Sequence, residues 1–214
     1  EAGKVLYRHA ASLLQEAEQL EKTAAYLASG WEAEVALAAD ALTPTAALLC
    51  GLQAFSSLSP ATRIRLFETT LSGTDEALLT GQVDIAITGR VPPGFLGTPL
   101  LTITMVPVTA TSHPLAQLTT VTEKDLKQQR QIVVRDSGTK REQDVGWLGA
   151  NQRWTVSSFA TSIEAVKAGL GFAFLPRHCV EQLLTEGSLK ILPLQMGTER
   201  SIPLQLVVAN QSNA

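Results

Sequence analysis

The chain has 214 residues, 45% of them hydrophobic and 17% charged, with a formal net charge of −3. That length buries a sizeable core as one large α/β unit or two small lobes. The acidic balance excludes a domain that grips nucleic acid by itself, because the nearest thing to a basic stripe, Lys124 to Arg130, is diluted by Asp125 and glutamines. No apolar run approaches the roughly 18–20 residues that span a bilayer. The N-terminus also lacks the basic segment and apolar stretch of a secretory signal. A cytoplasmic location without membrane contact is therefore expected.

The leading segment, Glu1 to Ser29, has no proline, and its one glycine, Gly3, lies in the first turn. It is rich in Ala, Leu, Glu and Gln, which favour helix. Leu6, Leu13, Leu20 and Leu27 are seven apart, with Ala10, Ala17 and Ala24 between them. That unbroken alternation makes an a/d seam and predicts a coiled coil joining two copies of the chain. The alternative is an amphipathic helix packed on its own domain. Gly30 ends the helix, since glycine accepts the left-handed backbone of a C′ position.

Beyond Gly30, short apolar runs alternate with helical ones. Strands are expected at Glu34–Ala39, Arg63–Glu68 and Val83–Thr88, with helices at Pro44 to Phe55 and Thr74–Thr80 between them. This order implies a parallel sheet with right-handed crossovers. Leu100–Thr109 reads as a longer strand leading out of this first lobe. A second set follows, with strands at Gln131–Arg135, Trp154–Ser157, Gly171–Leu175 and Leu189–Leu194. Its helices fall at Glu123–Gln129, Ser158–Ala168 and Arg177–Thr185, and Ser201–Ala209 is a last strand. Two such lobes joined by extended segments imply a hinge and a cleft, the usual seat of a small ligand.

Cys50 and Cys179 lie far apart in apolar stretches with no CxxC partner, so both are expected as buried structural thiols. The sequence holds no GxSxG, HExxH, GxxxxGK[ST] or GxGxxG motif. Ser137-Gly138-Thr139-Lys140 lacks the upstream glycine of a phosphate loop, and His9, His113 and His178 stand in unrelated contexts. No catalytic residue, metal ligand or cofactor is expected, and an enzyme is not supported.

Four stretches, in order, resemble the LysR-type transcriptional regulators. EAGKVLYRHAASLLQEAEQL at the start is similar to their linker helix. GQVDIAITG (Gly81–Gly89), SHPLA (Ser112–Ala116) and VKAGLGFAFLP (Val166–Pro176) are similar to segments of their two lobes. The resemblance implies an α/β, two-lobed, periplasmic-binding-protein-like (type II) effector domain preceded by a long coiled-coil linker helix. The expected boundaries are 1–30 for the linker, 31–107 with 200–214 for the first lobe, and 108–199 for the second. The resemblance further implies a small-molecule effector in the interlobe cleft and a homodimer or tetramer. DNA would be bound only through a helix-turn-helix domain ahead of Glu1. A free-standing solute-binding protein of a transport system has the same fold and is the alternative; a non-sensing assembly scaffold is a third.

Helix N-termini facing a cleft favour anions through free N–H groups and the helix dipole. Thr43 suits an N-cap with Pro44 at N1, and the family commonly contacts its effector at this turn, so Thr43 and Thr45 are the leading candidates; simple capping is the competing reading. Ser72, Gly73 and Thr74 repeat this chemistry after the second strand, with Thr74 as a cap. Arg90 follows the third strand and suits a carboxylate. The second lobe offers Ser137, and Ser158 with Phe159, where Ser158 caps a helix and Phe159 either walls the pocket or fills the core. This hydroxyl-rich rim points to a small polar or anionic ligand.

Overall fold

The structure is a computed structural model. It describes residues 30–139, 146–195, 197 and 199–209, together with Gly3, Leu6, Tyr7, His9, Ala10, Leu13, Leu14, Ala17, Leu20, Glu21, Ala24 and Ala28. All of these leading residues are helical and exposed. The seam leucines Leu6, Leu13 and Leu20 keep 65–71% of their surface open on a single subunit, and Leu27 lies outside the described residues. Gly30 follows with a left-handed φ of 89°.

In the first lobe, β1 (Glu34–Asp40), β2 (Arg63–Thr69) and β3 (Ile85–Thr88) pair in parallel, with β1 in the middle. The crossovers that parallel pairing demands are supplied by α1 (Thr45–Leu58) and α2 (Ser72–Leu79). Central β1 is buried from Ala36 to Asp40, which is why it reads as a continuous apolar run. Ala36, Ala38, Ala77, Leu78, Val83 and Ala86 form its core. The chain then leaves on β4 (Gly97–Ala110), whose first half pairs antiparallel with β9 (Arg200–Val208) and whose second half pairs with β7 (Phe172–Pro176) and β8 (Leu189–Ile191).

The second lobe adds β5 (Arg130–Val134), parallel to both β6 (Gln152–Val156) and β7. Its helices are α3 (Glu123–Gln128), α4 (Phe159–Lys167) and α5 (Arg177–Thr185). The strands form one sheet in the order β2-β1-β3-β9-β4-β7-β5-β6, with β8 against β4. Val106, Val108, Ile132, Val166, Ala173 and Leu175 centre the second core. Because β4 runs through both halves and β9 pairs along its first part, the waist of the molecule is a paired antiparallel ribbon.

Local departures from the sequence reading have identifiable causes. Thr43 is not the cap of α1, nor is Pro44 its first residue; Pro44 is the boundary residue, extended at ψ 108°, and the helix begins at Thr45. The Asp40 carboxylate accepts the Leu42 N–H at 2.9 Å and the Asp40 carbonyl accepts the Thr43 N–H at 2.7 Å. That turn completes before the helix and leaves the Thr43 hydroxyl buried away from the helix amides. Likewise α2 starts at Ser72 instead of Thr74, entered through Leu71 at a left-handed φ of 50°. β8 stops at Ile191, short of Leu194, because Pro193 has no N–H to extend the ladder. Neither cysteine is fully buried. Cys50 is exposed because no residue of α1 is buried, and Cys179 is half-buried, where desolvation and the Glu68 carboxylate push its thiol up.

Candidate functional site

A cavity of about 610 Å³ lies where the two lobes meet the waist. The first lobe contributes Asp40 at the end of β1 and Leu42 beyond it, and Thr70 and Leu71 after β2. The waist contributes Met105, Arg200 and Ile202. The second lobe supplies Ile132, Val133, Val134, Trp147, Leu148, Phe159 and Phe174, with Val121, Leu126 and Leu194. The wall is mainly aliphatic and aromatic, the usual character of a small-molecule site of this size. Gln131 and Gln195, the ionisable Glu123 and Glu199, and Gly146 and Gly197 complete the lining among the described residues.

The polar groups in the wall are unequal. Burial pushes the Asp40 carboxyl up to about 6, with Asp75 and Asp136 adding like-charge repulsion against the opposing amides of Leu42 and Leu71. The strained backbone at Leu71 thus orients its N–H towards Asp40. Gln131 is only 2% exposed. Its Nε2 donates to the Trp147 carbonyl at 2.7 Å, while its Oε1 is buried without a partner among the described residues. Trp147 rests against Phe172 at 6.0 Å between centroids, and Phe172 against Phe174 at 6.3 Å.

Beside the cavity the lobes are clasped. The Thr70 N–H donates to Ser137 Oγ at 2.8 Å, and the Ser137 N–H returns to the Thr70 carbonyl at 3.3 Å. Thr70 Oγ1 donates to the Arg135 carbonyl at 2.9 Å, and Ser72 Oγ to Asp136 Oδ2 at 2.6 Å. Glu76 accepts from the Thr139 N–H at 2.7 Å and from its hydroxyl at 2.5 Å. Gly73 permits this approach, because a Cβ there would collide with Ser137 Oγ. Gly73→Ala is accordingly expected to part the clasp. Loss of two or more such bonds, at about 0.5–1.5 kcal/mol each, predicts at least about fivefold faster amide hydrogen exchange at Ser137 and Thr139. Unchanged exchange there would show that the loops adjust without opening.

The residues singled out from sequence therefore scatter. Phe159 lines the cavity and also packs on the hydrophobic clusters of both lobes, so wall and core are one role here. Ser72, Gly73 and Ser137 meet one another in the clasp. Thr74 is not the cap of α2; it is fully buried and shares a 2.7 Å hydrogen bond with Thr69. Thr43 is buried, with Oγ1 lacking a partner among the described residues, whereas Thr45 is exposed on α1. Arg90 is exposed and offsets the upward push of burial on Asp75. Ser158 caps α4, accepting the Thr161 N–H at 3.2 Å. Asp40, Met105, Gln131 and Trp147 were not singled out. The only sequence signal for Gln131 is a polar residue opening the apolar strand QIVVR.

Among the described residues there is no cluster of three or more His, Cys, Asp or Glu that could hold a metal ion. No helix among them is long and apolar enough to cross a membrane. The chain matches the family model for the LysR substrate binding domain over residues 28–213. It is 31% identical over 193 residues to the uncharacterized HTH-type transcriptional regulator YeeY of Escherichia coli (strain K12), covering 87% of this chain and 62% of that protein. It is 30% identical over 206 residues to the HTH-type transcriptional regulator YhaJ of Escherichia coli O157:H7, covering 94% and 69% respectively. The regulatory domain of CcmR from Synechocystis PCC6803, solved in complex with 2-PG, superposes with a TM-score of 0.64 at 15% identity, covering 86% of this chain and 91% of that one. The chain thus spans roughly two thirds of the length of these curated regulators. With the family model matching most of its length and a two-lobed sheet of the same architecture, the chain belongs to the LysR substrate-binding-domain family.

Proposed function

We propose that this chain is the effector-sensing and self-associating part of a LysR-type transcriptional regulator acting in the cytoplasm, where its DNA lies. The observation that carries the reading is the cavity at the junction of the lobes, walled by both of them and by the strands of the waist. A molecule held there touches every part whose relative angle could change. It shifts that angle only by binding one arrangement better than another. The resemblance of the curated relatives, named as HTH-type regulators, favours this over a transport component.

Self-association is supported by two apolar surfaces that one subunit leaves uncovered. One is the stripe of Leu6, Leu13 and Leu20 on the leading helix. The other is α1, in which Leu49 and Leu58 are exposed and no residue is buried. In this reading, paired leading helices carry a change in lobe angle to DNA-binding heads that precede them, in a homodimer or a tetramer. Phe159, which lines the cavity, is the candidate from sequence that best fits a role at the effector, while Thr43, whose hydroxyl has no partner among the described residues, is not among the lining residues. Thr45, Ser72, Gly73, Thr74, Arg90, Ser137 and Ser158 would act around it, as clasp, cap or rim.

A metabolite screen read by thermal denaturation tests the proposal. An effector at about a hundred times its Kd adds about 2.7 kcal/mol to stability, which raises Tm by about 5–10 °C for a chain of this size. Val134→Trp, which places bulk in the cavity, should abolish that shift while retaining the fold. A screen without a hit, or a shift indifferent to Val134→Trp, would count against the cavity as the sensing site.

A further inference from the structure

We propose that the effector is an uncharged aromatic molecule bearing a hydrogen-bond donor, and that Gln131 Oε1 receives that donor. The inference rests on the reading of the cavity as the effector site and names the chemistry that site selects. Three observations carry it, each independent of the others.

The first is the amide of Gln131. Its Nε2 is committed to the Trp147 carbonyl at 2.7 Å, which fixes the orientation of the group and leaves Oε1 as the end without a partner among the described residues. Gln131 is nine-tenths buried and more, and it lines the cavity. A buried acceptor without a partner is costly, so a ligand supplying a donor gains what one lacking it forfeits.

The second is the wall. Trp147, Phe159 and Phe174 offer ring faces and edges, and Leu126, Val134 and Ile202 offer aliphatic surface. Aromatic ligands exploit both. The third is charge. Among the described residues, Asp40, Glu123, Glu199 and Arg200 are the charged groups of the lining. Glu123 is paired with Lys127 at 2.8 Å and Glu199 with Arg177 at 3.4 Å, so the carboxyl that weighs against a ligand's charge is the buried Asp40. Asp40 itself resists ionisation there through burial and its acidic neighbours. An added anion meets the same low-dielectric penalty and the same repulsion. The hydroxyls of Ser72 and Ser137 are spent on the clasp and that of Ser158 on a helix end, so those three rim groups do not themselves select an anion.

The test uses three naphthalenes of one shape: 2-naphthol (neutral donor), 2-methoxynaphthalene (neutral, no donor) and 2-naphthoate (anion). Calorimetric titration gives affinity, and the indole N–H signal of Trp147, assigned with Trp147→Phe, reports occupancy of the cavity. The expected result is 2-naphthol binding about ten- to hundredfold more tightly than either analogue and moving the Trp147 signal. Gln131→Leu, or the longer Gln131→Met, should erase the preference for naphthol over methoxynaphthalene. Tightest binding of 2-naphthoate, no movement of Trp147 with any probe, or a preference surviving at Gln131 would each overturn the proposal. The ratio in the unaltered chain decides whether or not the variants fold. A metabolite acting through the cavity while all three naphthalenes fail would sink this ligand class alone. Failure of both would remove the sensing reading with it.

Discussion

Phe172→Ala is expected to destabilise the chain by about 3–5 kcal/mol, the range for removing a fully buried aromatic side chain. Phe172 has no exposed surface and sits among Leu115, Val121, Leu126 and Leu192. The hole is hard to close, because Phe172 pairs with Gln131 in register across β5 and β7 and the backbone cannot collapse inward. Gly171 next to it already brings the chain so near Arg130 that a Cβ would strike that carbonyl oxygen. The loss should also reach the site, since Trp147 leans on this ring. Urea denaturation should show the fall in stability, and tryptophan emission should show Trp147 in a looser setting. A loss below about 1 kcal/mol would mean the aromatic stack carries little of the lobe's stability.

Asp40→Asn should flatten the pH dependence of stability between about pH 4 and pH 6. The folded carboxyl titrates at about 6 against an ordinary 3.8, so the folded chain holds a proton that the unfolded chain has already released. The sign follows directly. Stability is greatest below the unfolded value, and falls as pH rises through that value until the folded group has ionised. At about 1.4 kcal/mol per tenfold change in proton affinity, the fall is of the order of 3 kcal/mol. Urea midpoints for the wild type should therefore drop across this window, and those of Asp40→Asn should not. Parallel profiles for the two proteins would assign the titration elsewhere, Asp75 being the next group that burial pushes up.

How far the sequence could be read depended on the distance between interacting residues. Arg177–Thr185 is the helix expected of it, because its apolar positions recur with the helical period and Pro176 marks its start. Strands β1 and β7 were equally plain, since buried strands show as apolar runs whatever lies beside them, and β2, which has no fully buried residue, was plain from its alternation instead. The paired waist was less so, because β4 and β9 meet across about a hundred residues. The site was least legible. Helix-terminus chemistry pointed to Ser72 and Ser137, and it had no means of showing that each is taken up by the opposite lobe, more than sixty residues away. Gln131 carries meaning only once the Trp147 carbonyl has fixed which end of its amide is left over. The hydroxyls were visible and the apolar wall was not, because the wall is assembled from single residues of many elements.

One rung of the sheet has a wider consequence. Met105 lies opposite both Pro176 and Arg200, so the chain departs for the distal half and comes home at neighbouring positions on one ladder. Seen from the proximal half, everything between is an excursion whose two feet stand a strand's width apart, close to 5 Å. Such an excursion closes at an entropy that grows only slowly with its length. Evolution is free to lengthen, trim or reshape the distal half, and with it most of the wall around the ligand, without disturbing the rungs that hold the proximal half together.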